Sequence, residues 1–289
     1  MTFELIRLRL EFLARDSLYF PPHKPGNILR GAFGHIFRSL ACEPACADAR
    51  SCARAAECSY ARVFEPRPVG VHPSGLAELP RPFVFRATHL DGRTIAPGEP
   101  FHFDLHLFDL CQPLDRYFIS AFERLATEGL GPGRGRAELR ANSSARVAVR
   151  LDAVAPANGV RVRFVAPTEL KTGSQLAPKP EFPILYARLR DRISTLRAAY
   201  GAGPLAIDFR AAAERASRVS MTRCDLEWER VERRSSRTGQ THPLGGFTGE
   251  AEYAGELGEF LPYLELGQWT GVGRQTVWGK GEIAVERLA

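Results

Sequence analysis

The stretch Phe260–Leu288, "FLPYLELGQWTGVGRQTVWGKGEIAVERL", decides the fold. "LGEFLPYLELGQWTGVG" reads as a short helix and "TVWGKGEIAVERL" as a final strand. Between them Gly271, Gly273, Gly279 and Gly281 interleave with Arg274, Trp278 and Lys280. Working backward, "GGFTGEAEYAG" and "MTRCDLEWERVER" read as a strand pair joined by a polar loop. "FPILYARLRDRISTLRAAYG" is a long helix stopped by Gly201, and "GVRVRFVAPTELK" is the strand before it. Strand, helix, two strands, helix, strand is a split β-α-β unit, the ferredoxin-like arrangement.

The first half of the chain repeats this order without repeating the residues. "FELIRLRLEFLA" carries Phe3, Leu5, Leu8 and Leu10 on an approximate two-residue period, a strand. "NILRGAFGHIFRSLA" places Ile28, Leu29, Phe33, Ile36, Phe37 and Leu40 on a helical stripe. "RPFVFRATH" and "EPFHFDLHLFDL" alternate as strands, "LDRYFISAFERLATEG" is helical, and "RAELRANSSARVAVRLDAV" is strand again. The expectation is an α+β protein of two tandem ferredoxin-like domains, residues 1–155 and 156–289. "APANG" serves as the linker, and a cysteine-rich loop is inserted after the first helix.

Composition bounds the function. The chain has 289 residues, 44% of them hydrophobic, and a formal charge of +6, enough for real cores and compatible with an anionic partner. Lys stands only at positions 24, 171, 179 and 280, so the cations are mostly Arg, whose planar fork suits phosphate. No stretch approaches the roughly 20 apolar residues of a membrane span. "MTFELIRLRLEF" has no signal-peptide core, so a cytoplasmic location is expected, with cysteines kept reduced.

Cys42, Cys46, Cys52 and Cys58 follow the spacing C-x3-C-x5-C-x5-C. Four thiolates in one short loop can close a structural zinc site, or hold an iron–sulfur cluster; unliganded buried thiols are the alternative. Cys111 and Cys224 read as core residues. Of seven histidines, His102 and His106 share one strand parity and read as a half-exposed face. His23, beside Lys24 and near Tyr19, lies in the loop before the first helix, and His35 lies on that helix. Either could do acid–base work near neutral pH. No phosphate-binding G-x-x-x-x-G-K-S loop, metalloprotease H-E-x-x-H pairing or hydrolytic triad occurs.

Two arginine clusters suit the backbone of a nucleic acid: Arg230, Arg233, Arg234 and Arg237 in "ERVERRSSRTGQTH", and Arg134 and Arg136 in "GLGPGRGRAELR". The first cluster equally suits a solvated hairpin tip. In the C-terminal loop, glycine would let the main chain approach a ligand and present N–H groups, with Arg274 and Lys280 as phosphate contacts. Trp278 would stack on a base or fill the core.

"PLGGFTGEAEYAG" followed by "FLPYLELGQWTGVGRQTVWGKGEIAV" resembles the C-terminal domain of the CRISPR repeat RNA endoribonucleases of Cas six type, in the RAMP superfamily. "LRGAFGHIFRSLAC" and "CSYARVFEP" resemble the N-terminal half of one branch of it. The resemblance implies binding of CRISPR repeat RNA and processing of precursor transcripts to guide RNA. It implies cleavage without a catalytic metal, by attack of the substrate's 2′-hydroxyl, leaving a 2′,3′-cyclic phosphate. It also implies a catalytic histidine in or near the first helix, His35 ahead of His23, with Tyr19 and Lys24 in support. RNA contacts would come from the two arginine clusters and from Gly271, Gly273, Arg274 and Lys280. Other CRISPR effector subunits are possible partners; DNA and membranes are not expected. The competing readings are a non-catalytic RAMP subunit that holds guide RNA, and a metal-stapled protein-interaction module.

Overall fold

The computed structural model describes residues 1–42, 52–55, 57–66, 79–110, 114–152, 156–234 and 241–288. In the first unit β1 (Thr2–Ala14) leads to α1 (Pro25–Ala41), β2 (Phe83–Arg86), β3 (Pro100–Leu107), α2 (Asp115–Glu128) and β4 (Ala137–Arg150). In the second, β5 (Gly159–Thr168) leads to α3 (Phe182–Tyr200), β6 (Ser220–Glu229), β7 (Gly246–Ala254), α4 (Leu261–Thr270) and β8 (Ile283–Leu288). The sheets run β2-β3-β1-β4 and β6-β7-β5-β8, antiparallel throughout. Each therefore has the ferredoxin-like order, with the first and third strands central.

Burial along β1 explains why its period was only approximate. Leu8, Leu10, Phe12 and Ala14 face the first core, but Phe3 and Leu5, of opposite parity, join the second. The sheet therefore buries both faces. Phe83 and Phe85 of β2 likewise face α1 and α2, while Val84 between them faces the second unit. On the helix side, Phe33 of α1 stacks on Phe118 and Phe122 of α2 at 4.9 and 4.8 Å. Such rings dominate core energetics, each contributing about 1.5–3 kcal/mol by burial alone.

The two units are joined at the C-terminal end of α4, whose last carbonyls have no partner within the helix. Arg86 of β2 donates to the carbonyls of Gln268 and Trp269, His106 of β3 lies 2.8 Å from that of Trp269, and Arg192 of α3 donates to that of Thr270. Donors from both units thus satisfy the negative end of one helix. His106 is buried rather than half-exposed, and its ring packs on Trp269 at 4.8 Å. Burial, reinforced by the Arg86 charge, pushes His106 down from 6.5 to about 3.

The sign of the linkage follows. An unfolded chain takes up a proton on His106 below about pH 6.5, whereas the folded chain resists until about pH 3. Stability from this site is complete above pH 6.5 and is lost as pH falls toward 3. Denaturant midpoints between pH 6.5 and 4.5 should fall with a slope approaching about 1.4 kcal/mol per pH unit from this residue. His106→Asn, which keeps a donor for Trp269 but does not titrate, should flatten that slope.

Three local features depart from expectation. The final strand begins at Ile283, and Thr276–Trp278 forms a 3-10 turn. An additional helix covers Phe209–Ala216, capped by Asp208, which accepts from the N–H groups of Arg210 and Ala211. The cysteine segment ends in a short helix, Ser59–Phe64, whose Phe64 ring packs on Phe33, Phe37 and Phe83.

Candidate active site

The glycine loop after α4 turns its backbone inward. Gly271, Gly273, Gly279 and Gly281 all have positive φ. A Cβ on Gly281 would lie 2.0 Å from the carbonyl oxygen of Val272, and one on Gly273 2.2 Å from that of Glu169. Several of the loop's donors are also engaged. The N–H of Gly271 bonds Gly267, that of Val272 bonds Gly281, that of Arg274 bonds Glu169, and that of Gly281 bonds Pro167. The bare backbone of Gly271, Gly273 and Gly281 serves close approach to the protein's own chain.

The loop cations also bond within the protein. Lys280 is buried and donates to the Gly245 carbonyl and to Gln275 Oε1, with Glu169 Oε2 3.6 Å away. Burial lowers its pKa to about 8. It therefore locks the loop and is not a surface phosphate contact. Arg274 is exposed but pairs with Glu169 at 3.0 Å. Trp278 lies under the Arg30 guanidinium, 5.2 Å from ring centre to cation.

Locked in this way, the loop forms one wall of a cleft of about 300 Å³ between the two units. Trp278, Gly279 and Lys280 face His23, Gly26 and Asp91 across it. Approach is close enough that a Cβ on Gly26 would lie 2.8 Å from Gly279 Cα. The N-terminus of α1 opens here, with no acidic residue in its first turn and Lys24 at its cap. That end of a helix favours anions.

His23 is one of the titratable groups the fold delivers to this cleft, with His89, Asp91 and Lys280. Its φ of +58° is left-handed, uncommon outside glycine. Asp91 holds it there, accepting the His23 backbone N–H at 2.5 Å, with Asp91 Oδ2 3.8 Å from ring Nδ1. Glu229, the last residue of β6, places Oε2 3.5 Å from ring Nε2. His35, by contrast, is exposed on α1 and does not line the cleft. The order of preference between the two histidines is therefore reversed. Tyr19 is exposed on the segment leading to His23. Sequence reasoning missed Asp91, Glu229 and His89, which also lines the cleft and stacks on His102 at 4.5 Å. Their only early signal was residue type.

The arginine clusters divide. Arg136 forks onto Asp16, and Arg134, with φ +49°, donates to the Glu128 carbonyl, so both brace the turn after α2. Arg230 is exposed directly after Glu229. Arg233 and Arg234 lie on a short strand paired with Thr241–Pro243, and Arg237 lies outside the described residues.

Of the four clustered cysteines, Cys46 lies outside the described residues. Cys42 and Cys58 bring their Sγ atoms to 3.8 Å. Two thiolates about 2.3 Å from one tetrahedral zinc are separated by about that distance. No group of three or more His, Cys, Asp or Glu side chains poised for a metal occurs among the described residues. Nor, among them, is any helix long and apolar enough to cross a membrane.

Comparison with known proteins fits this architecture. Residues 3–155 match a family model described as an N-terminal domain, and residues 162–283 match the model of the CRISPR-associated endoribonuclease Cas6. Among solved structures, Cas6 of Thermus thermophilus in a product complex is similar over 98% of this chain and 99% of its own, at 19% identity and a TM-score of 0.62. A second Cas6 product complex is similar over 98% and 100%, at 20% identity and a TM-score of 0.57. A Cas6-RT-Cas1–Cas2 complex is similar over 99% of this chain and 29% of its own, at 12% identity and a TM-score of 0.57. Comparison with curated proteins gives no match. The match of residues 162–283 to that model, on the second of two ferredoxin-like units, identifies this part of the chain as a domain of the CRISPR-associated endoribonuclease Cas6 family.

Proposed function

We propose that the protein cleaves CRISPR repeat RNA in precursor transcripts to release guide RNAs, without a catalytic metal. The substrate's 2′-hydroxyl attacks the adjacent phosphate, leaving a 2′,3′-cyclic phosphate and a 5′-hydroxyl. The observation that carries this reading is His23, held by Asp91 in the cleft between the two units, beside the open N-terminus of α1. The helix terminus and Lys24 receive the phosphate, and the imidazole moves a proton at the reacting oxygens. Arg230 and the adjacent hairpin follow the RNA backbone outward. Relatives captured with product and with a substrate mimic support RNA as the ligand, and the Cas6-RT-Cas1–Cas2 complex supports CRISPR proteins as partners. We place the reaction in the cytoplasm, with no role for DNA or membranes.

The test is incubation of purified protein with repeat RNA in EDTA, followed by analysis of the fragment ends. Cleavage to a cyclic phosphate is expected. Retention of RNA without cleavage would overturn the reading in favour of a guide-binding subunit.

The cysteine segment has a separate, structural role in this proposal. Cys42 and Cys58, with Cys46 and Cys52, hold one zinc ion that staples the segment onto α1. Elemental analysis should find about one zinc per chain, and Cys58→Ser should lose it together with part of the thermal stability. An iron–sulfur chromophore in anaerobically purified protein would replace zinc with a cluster, and metal well below stoichiometry in both preparations would remove the site.

A further inference from the structure

Glu229 belongs to the second unit and His23 to the first, yet their side chains meet at 3.5 Å beside the cleft that His23 lines. The contact is built. Glu229 ends β6 opposite Gly246, and Gly245 packs so closely that a Cβ there would lie 2.4 Å from the Glu229 carbonyl oxygen. Lys280 clamps that turn through the Gly245 carbonyl. Thr248 donates to Oε1 at 3.3 Å, which leaves Oε2 directed at the imidazole. Both side chains are about one-third exposed, so a ligand can reach them.

We infer that Glu229 is a second catalytic residue, the general base that takes the proton of the attacking 2′-hydroxyl while His23 is the general acid. The inference rests on the endoribonuclease reading above. In the step, the 2′-oxygen forms its bond to phosphorus and gives its proton to Glu229 Oε2. The bond from phosphorus to the 5′-oxygen breaks, and that oxygen takes the proton of His23 Nε2. In-line displacement puts the two oxygens on opposite sides of phosphorus. The two side chains therefore part as the phosphate enters, each by rotation about its own bonds. When product leaves they return to contact, and the proton passes from Glu229 to His23. The enzyme is reset without exchange with bulk water.

The charged groups around Glu229 are His23 and Asp91 from the first unit, Lys280 from the glycine loop, and its neighbour Arg230. A general base acts deprotonated and a general acid protonated, so this assignment gives a rate that rises and then falls with pH.

Single-turnover cleavage of repeat RNA in EDTA, followed against pH, tests the assignment. Glu229→Gln should slow the reaction about 10²–10⁴-fold and abolish the acid-side rise, while Glu229→Asp keeps the rise at a lower rate. A substrate with sulfur at the 5′-bridging position, which departs without a proton, separates the two roles. It should restore His23→Ala but not Glu229→Gln. A Glu229→Gln protein that cuts at the normal rate or faster overturns the inference, as does slowing with an unchanged pH profile or rescue by the sulfur substrate. Should Glu229→Gln melt early, the Glu229→Asp profile decides alone: loss of the acid-side rise in that carboxylate-bearing variant is the overturning result. If the wild-type protein leaves the RNA uncut, it is the endoribonuclease reading that falls.

Discussion

Replacing His23 with Ala is expected to slow single-turnover cleavage of repeat RNA by about 10²–10⁴-fold, the usual cost of one acid–base group. RNA affinity should hold, since the arginines and the helix terminus remain. The melt should hardly move, because His23 is partly exposed and its backbone bond to Asp91 does not need the ring. Left-handed backbone at φ +58° costs roughly 1–2 kcal/mol for any residue with a Cβ, His included, so the exchange for Ala adds little. His23→Asn, which tolerates left-handed backbone better, is the companion variant and should lose the same rate. His35→Ala is the control, expected to cut normally from its exposed position on α1. A slow His35→Ala beside a normal His23→Ala would move the site onto the helix.

That reversal shows what the sequence could and could not disclose. The apolar stripe of α1, Leu29, Phe33, Ile36 and Phe37, is buried as its spacing requires. His35 is two residues, about 200°, from Phe33 and so points away from the core. Its exposure was legible. The partners of His23 were not, because Asp91 arrives from the turn after Leu90 and Glu229 from the end of β6, and no local pattern announces them.

The fold was far more legible than the site. Alternation and helical spacing mark the elements of the two sheets and their helices, since most bury at least one face. The exceptions are the edge strands β4, which buries only Ala137, and β6, which buries no residue. The signals fail where a face is not simply inside or outside. β1 changes its buried parity because its start packs against the second unit. The helix Phe209–Ala216 buries only Ala212 and Ala216, residues too small to write a stripe. Arg86 and His106 look like solvent-facing strand positions, but their destination is the end of α4.

The glycines were the hardest to read, because ligand approach and self-approach ask for the same residue. Gly273→Val separates them. A β-branched residue at φ +80° is a genuine outlier, and its Cβ would lie 2.2 Å from the Glu169 carbonyl oxygen and 3.1 Å from its carbon. Relief can come only from moving the Glu169 backbone. That backbone accepts the Arg274 N–H, and the buried Glu169 carboxylate pairs with Arg274 and neighbours Lys280. Left-handed strain of roughly 1–2 kcal/mol adds to overpacking of about 1–3 kcal/mol, so a loss of about 2–5 kcal/mol is expected. At roughly 2–4 °C per kcal/mol, the melting temperature should fall by about 4–20 °C. Gly133→Ala is the contrast: it has open space around it and should change stability by less than about 0.5 kcal/mol. RNA binding by Gly273→Val should then weaken only in proportion to the folded fraction. A variant that melts like the native protein yet no longer binds RNA would return the loop to the ligand and overturn the structural account of its glycines.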